Sequence, residues 1–356
     1  MSTRALLGVF LASVTSVVVA GCSSAEGGIT GDPQPTDETG TDDTGEGDET
    51  TPADDSGTST DSKPATDTGK PTTDTGTIVD SSPPPIPGAV YGAKCATMTA
   101  DDVKAWEDIA VLRGKAKMGA IDCIDGIQKA SNNHASYVQL NGGTLTHNET
   151  SGKPGFTGVN FWDRMAAAGF KGPGSAMFEV IHSLGDGHGS ILGESGWINT
   201  LYHRIPFVSF GAKGYGFGNN TGKWATVDFS SGGANPGGAV ISTWPVDGDT
   251  GIWTTFRCAS EIPNPLPGQT NAGYPISLTG AKALVIASQS MTKSGTDVPL
   301  VVLTKATDGA GLIPDTQVYF IPKAPLTTST RYDVKVKGTV GGTPFDMAFS
   351  FSTGTK

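Results

Sequence analysis

All five histidines of this 356-residue chain fall between residues 134 and 203: His134, His147, His182, His188 and His203. The C-terminal third has none. Imidazoles gathered in one stretch point to a site, because histidine titrates near neutral pH and binds metals. The stretch holds no Gly-x-Ser-x-Gly, no P-loop and no His-Glu-x-x-His, which removes the best-marked hydrolase, nucleotide and zinc-protease arrangements. No Cys-x-x-Cys occurs either. Gly211–Gly218 looks superficially like a phosphate loop, but no helix pattern follows it, so it reads as a Gly-rich strand that lets another backbone approach closely.

Helical spacing dominates the elements that must position these residues. Thr99 precedes Asp101 and Asp102, with Val103, Trp106, Ile109 and Ala110 following at helical intervals, so a capped helix is expected to about Arg113. Further helices are expected at 122–140, at 161–168 with Gly169 as its stop, at 175–184, and at 196–203 with Pro206 as its end. The period then changes. Residues 211–218, 223–229 and 238–244 alternate as three strands of a small sheet. From residue 247 the pattern is all-β, with strands expected at 274–278, 283–288, 298–303, 317–321, 332–336 and 345–351, separated by turn residues. The fold class expected is α+β: helices and a small sheet at 89–246, then a sandwich at 247–356.

Several words stand in order along the first half: Asn133-His134-Ala135-Ser136-Tyr137, Leu145-Thr146-His147-Asn148-Glu149, Asp163-Arg164-Met165-Ala166-Ala167-Ala168-Gly169-Phe170, Phe178-Glu179-Val180-Ile181 and Trp197-Ile198-Asn199-Thr200-Leu201-Tyr202-His203-Arg204. In this order they resemble bacterial domains of the CAP (SCP-like) superfamily, over roughly residues 95–245. The resemblance implies an α-β-α sandwich with a cleft of two histidines and two acidic residues. His147 matches the first histidine, Glu179 the glutamate and His203 the second histidine. Val180 stands where the family usually has Asn, and Thr200 where a fourth acidic residue falls in animal members. The implied set is thus His147, Glu179 and His203. His147 and His203 could hold a divalent metal such as zinc, with the carboxylate as third ligand or ring orienter. Without metal, a Glu–His pair could act as a general base. The bland readings are a satisfied core histidine for His134, an exposed loop around His188, packing roles for Trp197 and Tyr202, and helix bracing by Arg164 and Arg204. His182 has no counterpart in the family. Glu194 is a poor substitute for the missing acid. The words Thr330–Val336 and Phe349–Gly354 resemble bacterial Ig-like domains, for which no catalysis is expected.

The N-terminus carries a different chemistry. Arg4 leads an apolar run to Ala20, too short to span a membrane comfortably and suited to a signal peptide core. It ends in Val19-Ala20-Gly21-Cys22, which resembles the lipobox of lipoproteins. A signal peptide at 1–21 and lipidation of Cys22 are therefore expected, with the chain anchored to a membrane by its acyl groups. Ser23 does not specify inner-membrane retention, so the expected location is the outer membrane of a Gram-negative bacterium. Residues 22–88 are almost wholly Thr, Asp, Gly, Ser, Pro and Glu with no aromatic residue, a composition that cannot offset its ordering entropy. As a coil they would span ~45 Å. The formal charge of −11 resides there: residues 23–88 hold fifteen Asp or Glu against Lys63 and Lys70. The remainder is near neutral and shows no basic stripe, so no nucleic-acid partner is expected. Of the four cysteines, Cys95, Cys123 and Cys258 allow three disulfide pairings. Cys95 with Cys123 is preferred, since they flank the first expected helix, and it leaves Cys258 unpaired. The expected function is an envelope-anchored monomer binding a lipid, peptide or cell-wall ligand in a His/Glu cleft. The alternative is a metal-assisted hydrolase on such a substrate.

Overall fold

The computed structural model describes residues 85–356, apart from 173, 184–188, 193–195, 220–222, 234–235 and 237. The expected leader, Cys22, nearly all of the acidic segment, His188 and Glu194 lie outside the described residues. Among the described residues no helix is long and apolar enough to cross a membrane.

Helix α1 (Ala100–Lys115) starts where Thr99 accepts from the Asp102 amide while the Asp102 carboxylate accepts from that of Thr99, a reciprocal cap. Strand β1 (Asp122–Cys123) and helix α2 (Asp125–Leu140) follow. Helix α3 (Phe161–Ala167) is capped the same way by Asn160 and Asp163, and Gly169 follows it at φ +90°. Strands β2 (Ala176–His182), β3 (Ala212–Gly218) and β4 (Ala225–Ser231) complete a first sheet in the order β1-β3-β4-β2.

Two expected helices are different in kind. Where a helix is expected at 175–184, residues 176–182 form the edge strand β2, antiparallel to β4. Both faces of β2 are buried toward its end, so no polar–apolar alternation marked it as a strand, and a short apolar run does not distinguish helix from strand. Residues 196–203 form only a 3-10 turn, Trp197–Asn199, and the next helical turn, Arg204–Phe207, contains Pro206 rather than ending at it.

The first sheet is covered on both faces. Val180, Tyr215, Phe217, Val227 and Phe229 share a core with Ala105, Ile109 and Leu112 of α1 and with Trp197 and Phe207. The alternate face of β3 is glycine. A Cβ on Gly216 would lie 2.0 Å from the Gln128 amide nitrogen, and one on Gly218 2.3 Å from that of Asn132. Helix α2 therefore rests directly on the strand backbone, which the Gly-rich run permits.

Downstream come β5 (Ile241–Trp244), β6 (Asp249–Ile252), β7 (Thr255–Phe256), β8 (Ala272–Gly273), β9 (Ile276–Gly280), β10 (Leu284–Lys293), β11 (Thr296–Asp297), β12 (Leu300–Leu303), β13 (Gln317–Pro322), β14 (Arg331–Val340) and β15 (Thr343–Thr353). They form sheets ordered β11-β10-β14-β15-β6 and β12-β13-β9-β5, with a β7–β8 pair. Each of the six downstream strands expected from sequence lies at its place, and the class is α+β. The expected strand at 238–244 belongs elsewhere than expected: β5 pairs with β9, not with the first sheet. A core cluster continues from α1 and the first sheet into Ile276, Leu278, Val318, Phe320, Val336 and Phe351, across the division expected at 246/247. Residues 85–356 belong to one compact unit. A disulfide joins Cys95 to Cys123, with Cα atoms 5.1 Å apart. Its loop spans 28 residues, and a loop of that size contributes roughly 3–4 kcal/mol by restricting the unfolded chain. Cys258 is a free, fully buried thiol that donates to the Gln269 carbonyl at 3.3 Å.

Candidate functional site

The α2-facing side of the first sheet carries acid where a core would carry hydrocarbon. Glu179 of β2 and Asp228 of β4 are direct cross-strand partners and both are buried. Two like charges in that register repel, so the surroundings decide which one ionises. Arg164, fully buried on α3, donates Nη2 to Glu179 Oε2, and His147 places Nδ1 2.7 Å from Glu179 Oε1. Burial opposes the charge on Glu179, but Arg164, then His134 and the His147 hydrogen bond, outweigh it and hold Glu179 well below the usual carboxylate range. For Asp228, burial and then the Glu179 charge push its carboxyl well above that range. Asp228 Oδ2 accepts from Ser131 Oγ at 2.7 Å, and Oδ1 has no donor opposite it among the described residues. A protonated Asp228 removes that conflict by donating to Glu179. One anion, one neutral acid and one guanidinium thus share the space.

The loop after α2 is tied down by the same groups. His134 on α2 sets Nδ1 3.0 Å from Glu149 Oε1 and Nε2 2.8 Å from the Thr146 carbonyl. Both ring nitrogens thus face oxygen atoms. Glu149 also accepts from the Thr157 amide at 2.6 Å, and Arg164 Nη1 donates to the His147 carbonyl at 3.0 Å. These bonds fix residues 146–149 over the carboxylates. His147 Nδ1 is committed to Glu179, while its Nε2 is buried with no partner among the described residues. The His147 side chain is 9% exposed, so that nitrogen lies just below the surface.

No family model matches the chain, and no curated protein matches it. Among solved structures, an extracellular protein containing a SCP domain from Bacillus anthracis is similar over 39% of this chain and 45% of that one, at 18% identity and a TM-score of 0.29. The chain thus spans under half the length of that relative.

Of the three residues the resemblance assigned, the structure brings together His147 and Glu179. His203 takes a different carboxylate: its Nδ1 lies 3.2 Å from Glu261 Oε1 and 3.2 Å from Thr200 Oγ. Glu261 also receives the amides of Leu201, Tyr202 and His203, the second at 2.6 Å. Trp197 and Phe207, which bracket His203 in sequence, stack with each other, and Phe207 packs edge-on to Phe229. Phe229 faces away from the side that carries Asp228 and Glu179. Among the described residues, no three His, Cys, Asp or Glu side chains could hold a metal ion. Glu179 is engaged by Arg164, but His147 and His203 each spend Nδ1 on a carboxylate, as a metal-ligating imidazole does, and each keeps Nε2 buried without a partner among the described residues. The assignment of His147 and His203 as metal ligands thus rests on two imidazole nitrogens with no third His, Cys, Asp or Glu grouped with them among the described residues.

His134, Glu149, Arg164 and Asp228 complete the buried network, and sequence reasoning placed only Arg164 near a carboxylate. Glu149 was visible two residues beyond His147. Asp228 carried a signal too, as an acid in an otherwise apolar alternating run. His182 is a core histidine, edge-on to Trp197 with ring centroids 5.9 Å apart. Arg204 braces carbonyls, donating to Ile198 and Pro275 at 2.7 and 2.6 Å.

Proposed function

We propose that this chain is an exported lipoprotein, anchored through Cys22 in the outer membrane of a Gram-negative bacterium, with an SCP-like domain and an Ig-like sandwich that bind an envelope or extracellular ligand at His147. The supporting observation is the His147 ring, oriented through Nδ1 by an ionised Glu179 and holding Nε2 without a partner among the described residues. Such a nitrogen accepts a hydrogen bond from a hydroxyl, amide or ammonium of a lipid, peptide or glycan. An orphaned buried acceptor costs stability that a donor from a ligand restores.

His147→Asn tests this. The Asn amide can still donate to Glu179 while Nε2 is removed. Mass spectrometry of extracts from the purified full chain is expected to show a retained ligand, depleted in His147→Asn and kept in His203→Asn. An empty wild-type protein would count against the reading. The second reading, a hydrolase, draws on the same orientation: a carboxylate-held imidazole is the arrangement of a general base, with Nε2 taking a proton from attacking water. It needs no metal, so any hydrolysis of peptide or ester substrates should survive chelation and vanish in His147→Asn. For the anchor, Cys22→Ser should move the protein from the membrane to the soluble fraction and abolish fatty-acid labelling.

A further inference from the structure

A cavity of about 310 Å³ opens at the C-terminal end of α1 and shares no residue with the His147 network. Arg113, Lys117, Lys213, Phe210, Pro236 and Val240 are among the residues that line it. Its composition is uneven. The charged side chains are all cationic, and Phe210, Pro236 and Val240 form an apolar wall.

Arg113 is 2% exposed, yet it forms no ion pair among the described residues. Nε donates to the Gly119 carbonyl at 2.6 Å, and Nη1 to the Phe207 and Ser209 carbonyls at 3.1 and 3.0 Å. Those three bonds use every hydrogen on Nε and Nη1. Nη2 has no acceptor among the described residues. Burial pulls the guanidinium down to about 10, with no neighbouring anion to offset it. Neutral carbonyl dipoles compensate a buried charge only in part. The last carbonyls of α1 do not supply the missing anion: those of Leu112, Arg113 and Gly114 already accept from Ala116, Met118 and Lys117. At the rim, Lys117 is exposed and held at φ +54°. Lys213 is partly neutralised by Asp122, 3.1 Å away.

We propose that this cavity binds a small organic anion, whose carboxylate or phosphate group meets Arg113 Nη2 beneath Lys117 and whose apolar body lies against Phe210, Pro236 and Val240. The volume stands at the lower end of small-molecule sites, roughly 300–1,000 Å³. That leaves room for one ring or a short chain beyond the charged head. With one free guanidinium nitrogen rather than a complete fork, the head is held at a single point, and the lysine adds charge without fixing geometry.

The test is titration of the full chain with phenyl phosphate, benzoate, inorganic phosphate and neutral benzyl alcohol, followed by calorimetry or amide NMR shifts. Arg113 also braces the 207–209 backbone, so the variants are Lys117→Glu at the exposed rim and Val240→Asp on the half-buried wall, each first compared with the parent in thermal unfolding. At least one aromatic anion is expected to bind in the millimolar range or tighter, more weakly in high salt. Benzyl alcohol should not bind. Lys117→Glu should weaken binding about tenfold, since it reverses a unit charge beside the anion. Binding of phenyl phosphate but not benzoate, or the reverse, identifies the head group and supports the site. The proposal is overturned if neither aromatic anion binds, if inorganic phosphate binds as well as phenyl phosphate, or if both variants bind like the parent.

Discussion

The proton between Glu179 and Asp228 is the most consequential atom of the His147 network. It lets two carboxyls sit opposite each other on neighbouring strands with one guanidinium between them. The arrangement has a cost that depends on pH. In the unfolded chain Asp228 ionises at the usual carboxylate value, about 3.9. In the folded chain its affinity for the proton is raised. The folded state therefore binds more protons, and stability falls as pH rises from about 4 toward the raised folded value. Glu179 behaves oppositely: its value is depressed, so its contribution is complete above the unfolded value and is lost only as pH falls below the normal carboxylate range. Asp228→Asn separates the two. Its amide replaces the donor to Glu179 without any ionisation cost, so stability at pH 7 should rise by roughly 1–3 kcal/mol. Denaturant titration at about pH 4.5 and 7.5, both above the unfolded carboxylate value, checks this. The parent should lose stability between the two, and the variant should lose less. Equal slopes would mean that Asp228 is ionised in the folded protein.

Single elements position these residues, and the α2–β3 contact is the tightest. Gly216 admits α2 onto β3, and α2 carries Ser131 and His134 into the network. In Gly216→Ala the new Cβ meets the backbone nitrogen of Gln128 at 2.0 Å, and no side-chain rotation relieves a clash with backbone. Overpacking of this kind costs ~3 kcal/mol, and the helix must lift away from Asp228. Thermal unfolding should show the loss, and the His147 and His134 ring signals should shift in NMR spectra. An alanine variant with unchanged melting would refute the close approach. How far these elements could be read from sequence follows the same physics. Caps and glycine stops announced α1 and α3, because Thr99, Asn160 and Gly169 act within one turn of chain. Alternation announced β14 and β15, whose outer faces are wet, while β9 and β13, buried throughout, stood out as short runs between turn residues. Strand β2 escaped because its second half is buried on both faces. The partners of Glu179 and His203 escaped because strand pairing and folding distance choose them: Asp228 reaches Glu179 through register, and Glu261 reaches His203 from 58 residues downstream.

At the scale of the whole molecule, the two halves suggested by composition are joined through buried polar bonds. The segment 197–208 belongs by sequence to the first half, yet its polar groups are satisfied by the second. Glu261 accepts the amides of residues 201–203, the Pro275 carbonyl accepts from Arg204, and Gln317 donates to the Ile205 carbonyl at 3.0 Å. Tyr202 donates to Asp308 at 2.6 Å. Strand β5 pairs only with β9. A chain ending at residue 246 would leave the buried Arg204 Nη1 without its acceptor, leave three amides unpaired and open the shared core along Trp244. Each unsatisfied buried group costs ~1–3 kcal/mol, more where charge is involved, which together exceeds the ~5–15 kcal/mol margin of an ordinary domain only when the lost apolar burial is added. It is added here, since the core is continuous. The truncated chain should therefore show no cooperative thermal transition and dispersed amide signals should be missing. Glu261→Gln in the intact chain isolates the polar part. It keeps an acceptor of the same shape but removes the charge shared by three amides and the His203 ring, and should cost ~2–3 kcal/mol with one transition preserved. If the chain ending at 246 melts cooperatively, the halves are separate folding units and Glu261 is a surface cap between them.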